Sequence, residues 1–293
     1  MHPLGPVTNS RTAHKWHVWI GYSNLMDAKR LRLEHVLYGL GLFGPARTLY
    51  ALTAGREAKR QRALKRNFFS QLLSPGDLVF DVGANLGSYA EIFASLGARV
   101  IALEPNPDCV SHIRRSYPGE SIDVVGTAVG SSAGVATIRL AERSDMSSMS
   151  PDWIHSIQDA QRIDDSVWAN EITVPIITLD SLIERYGIPK FIKIDVEGFE
   201  ESVLSGLSKQ PSVLSFEFNT NFLDAATRCL RSVGSTEDCS FNFVIGEPLK
   251  FELNEWVDVN ELCAKLQALG KNVGYGDIFV KLNSTKLAQS PIN

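Results

Sequence analysis

The stretch DVGANLG at 81–87 joins a short apolar run, LVFDV (78–82), to an amphipathic one, SYAEIFASL (88–96). The first reads as a buried strand, and the second as a helix ending at Gly97. A glycine-rich turn between strand and helix is where an open parallel sheet builds its ligand site. The carboxylate at its mouth is unusual. Backbone N–H groups and a helix N-terminus attract anions, and Asp81 works against that attraction. The spacing GxNxG also departs from the GxGxxG of a dinucleotide site.

The alternation continues outward from this turn. RVIALE (99–104) reads as a strand, PDCVSHIRRSY (107–117) as a helix with proline in its first turn, and SIDVVGTAV (121–129) as a third strand. Strand, helix, strand, helix, strand implies parallel pairing in a doubly wound sheet. Further along, VATIRLAE (135–142) alternates like an exposed strand, and 144–153 reads as a polar loop. ITVPIITL (172–179) reads as an edge strand because of Pro175. DSLIERYG (180–187) reads as a helix capped by Asp180 or Ser181, and FIKIDV (191–196) as a buried strand. Strands at 213–218, 241–246 and 276–282, with helices around 223–233 and 256–269, complete the run.

Composition narrows the class. A 44% hydrophobic share over 293 residues suits a soluble globular chain, with no apolar run long enough to cross a bilayer. The N-terminus lacks the charged start and apolar core of a secretory signal, and the four scattered cysteines read as reduced packing residues. A cytoplasmic setting follows as the expectation. Residues 1–70 carry 12 Lys or Arg against three acids, and the remainder 17 against 30, so a basic arm precedes an acidic body. Apolar positions at helical spacing make 24–69 helical, broken at Gly44-Pro45, and the turn Ser74-Pro75-Gly76 closes it. The expected organisation is a basic helical extension at 1–74 and an enzyme domain at 75–293. The arm either docks on the acidic body, or serves as a lid, an oligomer contact or a peripheral membrane contact. No zinc spacing or basic–aromatic repeat points to nucleic acid.

Three expected strands end in acids, Asp81, Glu104 and Asp195, and Glu217 lies near the end of a fourth. In an open parallel sheet those ends face the ligand. Acids there suit ribose hydroxyls and a cationic head without pyrophosphate, and S-adenosylmethionine has both. Together DVGANLG, ALEPNP (102–107) and KIDVEGFEESVLSG (193–206), with TLDSL (178–182) upstream, resemble the FkbM family of S-adenosylmethionine-dependent methyltransferases. The resemblance spans roughly 75–282, and IDVEGFE is its most specific part. It implies a class I methyltransferase-like α/β fold, a doubly wound, mostly parallel seven-stranded sheet. It also implies O-methylation of a hydroxyl on a sugar, glycan or secondary metabolite.

Roles then attach to residues. Asp81 orients the methionine ammonium of the cofactor, directly or through water. Gly83 and Gly87 let the backbone approach, and Asn85 bonds the carboxylate or holds the turn. Glu104 accepts the ribose hydroxyls, Asn106 flanks the adenosine, and Ala128, at the end of the third strand, lies near adenine. Asp195 and Glu197 are the candidate general bases, with Glu217 in reserve. The same acids could hold a divalent cation, but without a His partner or a known ligand spacing no metal is expected. Asp180 is expected as a cap, Glu200 and Glu201 as early-helix structural acids, and His112 and His155 at the surface. Ser147 and Ser148 stand evenly between loop and site. The alternative activity is a nicotinamide-dependent oxidoreductase or epimerase on a similar sheet. The GxNxG spacing argues against it.

Overall fold

The structure, a computed structural model, describes residues 56–282 except 120, 142–146, 152, 156–169, 210, 221, 234–238, 247–248 and 271–273. Most of the basic arm, including the Gly44-Pro45 break, therefore lies outside the described residues.

The element order is α1 (Arg56–Phe69), β1 (Leu78–Val82), α2 (Ser88–Ser95), β2 (Arg99–Leu103), α3 (Pro107–Ser116), β3 (Ile122–Val125), β4 (Ala128–Val129), β5 (Gly134–Leu140) and β6 (Asn170–Ile177). It continues with α4 (Leu179–Tyr186), β7 (Phe191–Ile194), α5 (Glu200–Ser205), β8 (Val213–Asn219), α6 (Leu223–Val233), β9 (Cys239–Ile245), α7 (Val259–Gln267) and β10 (Tyr275–Leu282). Seven strands form the main sheet in the order β3-β2-β1-β7-β8-β10-β9. The pairs from β3 to β8 are parallel, and β10 runs antiparallel to both β8 and β9. This is the expected α/β architecture, and the order reverses beside β1, where such sheets bind ligands.

Alternation of side chains sorts the core onto two faces. Phe80 and Val82 point to one layer, where α4, α5, α6 and α7 contribute Leu182, Val203, Leu230 and Leu262. Val79 points to the other, where Phe68 and Phe69 of α1, Phe93 of α2 and Ile113 of α3 meet Phe191 and Phe279. The end of α1 is thus packed into the core, and the turn at 74–76 separates helix from sheet within one core.

Three local expectations need correction. The run 121–129 is two strands: β3 ends at Val125, and β4 belongs to a separate three-stranded sheet ordered β4-β6-β5. The strand holding Pro175 is the middle of that sheet, not an edge. Pro175 stands opposite Val135 of β5 with its carbonyl turned to the β4 side, where it takes Thr127 Oγ1 at 2.9 Å; β4 reaches only Ile176 and Ile177, so no β4 ladder bond is asked of the missing N–H. The cap of α4 is Thr178, whose Oγ1 accepts the N–H of Ser181 at 3.1 Å. Asp180 instead reaches across to the N–H groups of Ser208 and Lys209, which hold its carboxyl below the ordinary value against the opposing effect of burial.

Candidate active site

Residue registers bring three turns together. Val82 pairs with Leu103 on one side and Ile194 on the other, so the chain leaves β1, β2 and β7 at the same rim. The N–H groups of Gly83 and Ala84 both donate to Leu103 O, at 2.9 and 3.0 Å. A Cβ on Gly83 would fall 1.8 Å from the carbonyl oxygen of Asp195, so only glycine lets these turns pack. Gly87 caps α2 with φ +79, its Cβ space filled by Ile113 and Tyr117.

A cleft with a cavity volume of about 100 Å³ opens at this rim. Gly83, Asn85 and Glu104 line one wall, Asp195 and Glu197 another, and Thr127, Ala128 and Ile138 of the small-sheet region a third. Ser147, Ser148 and Met149 close the cleft. Ala128 therefore reaches the cleft from β4 rather than from the end of a main-sheet strand. Asp81, Asn106 and Gly87 stand outside the lining. Asn106 is the buried N-cap of α3, accepting the N–H of Asp108 at 3.0 Å.

Glu104 is held from both ends. Its Oε2 accepts the N–H of Asn85 and its Oε1 that of Asn106, both at 2.8 Å. Burial lifts its pKa to about 7 against those two bonds, with a smaller upward push from Asp81. Each oxygen keeps a lone pair for a further donor, the arrangement a vicinal diol needs. Asn85 holds a left-handed backbone, φ 48, to deliver its N–H.

Asp81 is 1% exposed, and its Oδ2 has no hydrogen-bond partner. Burial raises its pKa to about 6, partly offset by Lys193. An orphaned carboxylate oxygen behind the glycine turn is what a cationic ligand group, or water bridging to one, would satisfy. Lys193 gave no signal in the sequence beyond its place in a strand. It sits beside Asp81 in the ladder, 2% exposed, and donates from Nζ to Asp195 Oδ2 at 2.6 Å. Asp195 leads the opposing charges that hold Lys193 well above an ordinary ammonium pKa despite burial.

One ligand oxygen from each of Asp195, Glu197 and Glu217 lies within 4.8 Å of the others. These are the three acids singled out from the sequence, and β8 brings Glu217 to the pair from the β7 turn. Burial, then the charges of Glu197 and Asp195, push Glu217 well above the usual carboxylate range. The group could hold a divalent cation or share protons with an acceptor. Glu200 is structural as expected: its Oε1 accepts the N–H groups of Val196 and Gly198, both at 3.2 Å, and burial carries its pKa to about 7. Glu201 pairs with Arg228 at 2.8 Å. His155 is exposed, whereas His112 is not at the surface; it is buried on α3, its Nε2 3.1 Å from Ser116 Oγ. Ser148 is also buried, with its Oγ on the carbonyl of Glu197.

The family model described as the methyltransferase FkbM domain matches residues 81–275. The hexuronic acid methyltransferase AglP of Haloferax volcanii is 28% identical over 48% of this chain and 54% of its own. The 31-O-demethyl-FK506 methyltransferase FkbM of Streptomyces tacrolimicus is 31% identical over 46% of this chain and 61% of its own. The ribosomal RNA large subunit methyltransferase E of Archaeoglobus fulgidus is 42% identical over 20% of this chain and 32% of its own. The chain spans about half the length of the first of these relatives and less than two thirds of each.

Proposed function

The chain belongs to the FkbM methyltransferase family, and from that premise we propose that it methylates a hydroxyl oxygen on a small molecule or glycan. Family membership favours methyl transfer over the nicotinamide alternative, with S-adenosylmethionine as the methyl donor. The observation that carries the oxygen reading is the carboxylate group Asp195, Glu197 and Glu217 on the same rim as Glu104. A neutral hydroxyl is a poor nucleophile and gains from a base within reach.

S-adenosylmethionine supplies a methyl group already activated by its sulfonium centre. Glu104 would take the ribose hydroxyls on its remaining lone pairs, and Asp81 would answer the ammonium. Asp195, tied to Lys193, orients the acceptor hydroxyl. Glu197 takes its proton, since Asp195 Oδ2 is committed to Lys193, while burial and the charges of Glu197 and Asp195 push Glu217 well above the usual carboxylate range. Positioning does the rest, and it can supply up to about 7–11 kcal/mol of a barrier.

The relatives' named substrates, a hexuronic acid and 31-O-demethyl-FK506, favour a hydroxylated acceptor. An acidic cleft repels a phosphate backbone, which supports an acceptor other than nucleic acid. Four free cysteines support a reducing setting such as the cytoplasm. No helix among the described residues is long and apolar enough to cross a membrane. The basic arm remains a candidate for peripheral membrane or oligomer contact.

The test is transfer of a labelled methyl group to a panel of polyols, glycans and hydroxylated metabolites. The expected product is a base-stable methyl ether, with kcat reduced about 10²–10⁴-fold in Glu197→Gln. Label on nitrogen or carbon, or full turnover in that variant, contradicts the reading. A second reading, a divalent cation on the same three carboxylates, predicts activity abolished by EDTA and restored by Mg²⁺.

A further inference from the structure

Glu197 and Asn85 are the non-glycine residues with a left-handed backbone among the described residues, and both line the cleft. A residue with a Cβ adopts that conformation only when its surroundings hold it there. Around Asn85 the holding bond goes to Glu104. Around Glu197 it comes from a different part of the chain. Ser148 Oγ donates to the carbonyl of Glu197 at 2.6 Å.

That hydroxyl is itself fixed. Ser148 is 1% exposed, and its backbone exchanges both hydrogen bonds with Arg139 of β5, at 3.0 and 3.1 Å. The N–H of Ser150 donates to the same Oγ at 2.9 Å, filling an acceptor position so that the hydroxyl proton is left for Glu197. Trp153 covers the turn: a Cβ on Gly198 would lie 2.5 Å from Trp153 Cβ. Residues 147–151 and 153–155 thus form a strap anchored on the small sheet and clamped over the IDVEG turn of the main one.

We propose that Ser148 is a positioning residue for methyl transfer, its hydroxyl locking the left-handed turn at 197 so that the Glu197 carboxylate stands beside Asp195 and Glu217. The proposal rests on the reading of Glu197 as the base. Ser148 acts through Glu197, so its contribution to rate exists only while that carboxylate is present.

A double-mutant cycle tests this directly. Ser148→Ala should lower kcat about 10–100-fold, as a small misplacement of a catalytic group does, with the donor KM unchanged. In a Glu197→Gln background the same change should cost almost nothing more. Losses that multiply overturn the proposal. Thermal unfolding supplies an independent cycle, because glycine takes φ 51 without strain. Ser148→Ala should lower Tm in the wild-type chain and far less in Glu197→Gly. Equal lowering in both backgrounds overturns the lock, as does failure of both Ser148→Ala chains to fold. Full turnover in Glu197→Gln overturns the base assignment, and the thermal cycle then still decides whether Ser148 locks the turn.

Discussion

Glu104 carries a consequence for pH. Its carboxyl is protonated below about 7 in the free protein, because burial outweighs its two N–H donors. Ribose hydroxyls donate best to the ionised form. A raised pKa therefore means that donor affinity is full above about 7 and is lost as pH falls through it, by up to about tenfold per unit. Calorimetry in two buffers of different ionisation heat should show proton release on binding at pH 6.5, absent in Glu104→Gln. Affinity flat from pH 8 to 6.5 contradicts the ribose assignment. The strand-end acids were legible in the sequence because a carboxylate closing a buried apolar run is a local signal. Lys193 was not, and Ser148 was so only as a residue standing evenly between loop and site. A lysine in a strand ordinarily points outward, and a serine in a polar loop is ordinarily solvated; only the third dimension supplies Asp195 and the Glu197 carbonyl as their partners.

At the scale of elements, the contact of the β1 and β7 turns is the tightest constraint on the cleft. Gly83→Ala adds left-handed strain of about 1–2 kcal/mol and an overpacking cost of about 1–3 kcal/mol from a Cβ set against Asp195 O. Gly119 has a similar φ, +77, but open space around its Cβ position, so Gly119→Ala isolates the strain alone. Thermal unfolding should show Gly83→Ala losing about twice as much stability as Gly119→Ala. Equal losses would mean the turns are not in contact. Strand and helix order followed from hydrophobic period, and boundaries failed where the backbone changes partner within one apolar run. Gly126-Thr127 interrupts SIDVVGTAV, and the chain there leaves the main sheet for the small one. Thr178 caps α4 although two stronger capping types follow it at Asp180 and Ser181, because the helix begins at Leu179.

Across the described residues, the fold sets one rim of a mostly parallel sheet against a small mixed one, and the acids gather beside the place where the two meet. Asp81, Glu104, Asp195 and Glu197 come from turns that the βα alternation already places together. Glu217 joins them only because β8 lies beside β7 in the strand order, which no local pattern encodes. The third wall of the cleft has the same origin. Ala128, Ile138 and Met149 meet in the small sheet's own apolar cluster, drawn from three separate segments. The central claim is that this rim binds the methyl donor through Glu104 with Asp81 behind it. A crystal structure with S-adenosylhomocysteine tests it most directly. The account predicts both ribose hydroxyls on the Glu104 carboxylate and the amino end directed toward Asp81; a nucleoside bound elsewhere, or a Glu104 carboxylate that gains no ribose contact, would contradict it.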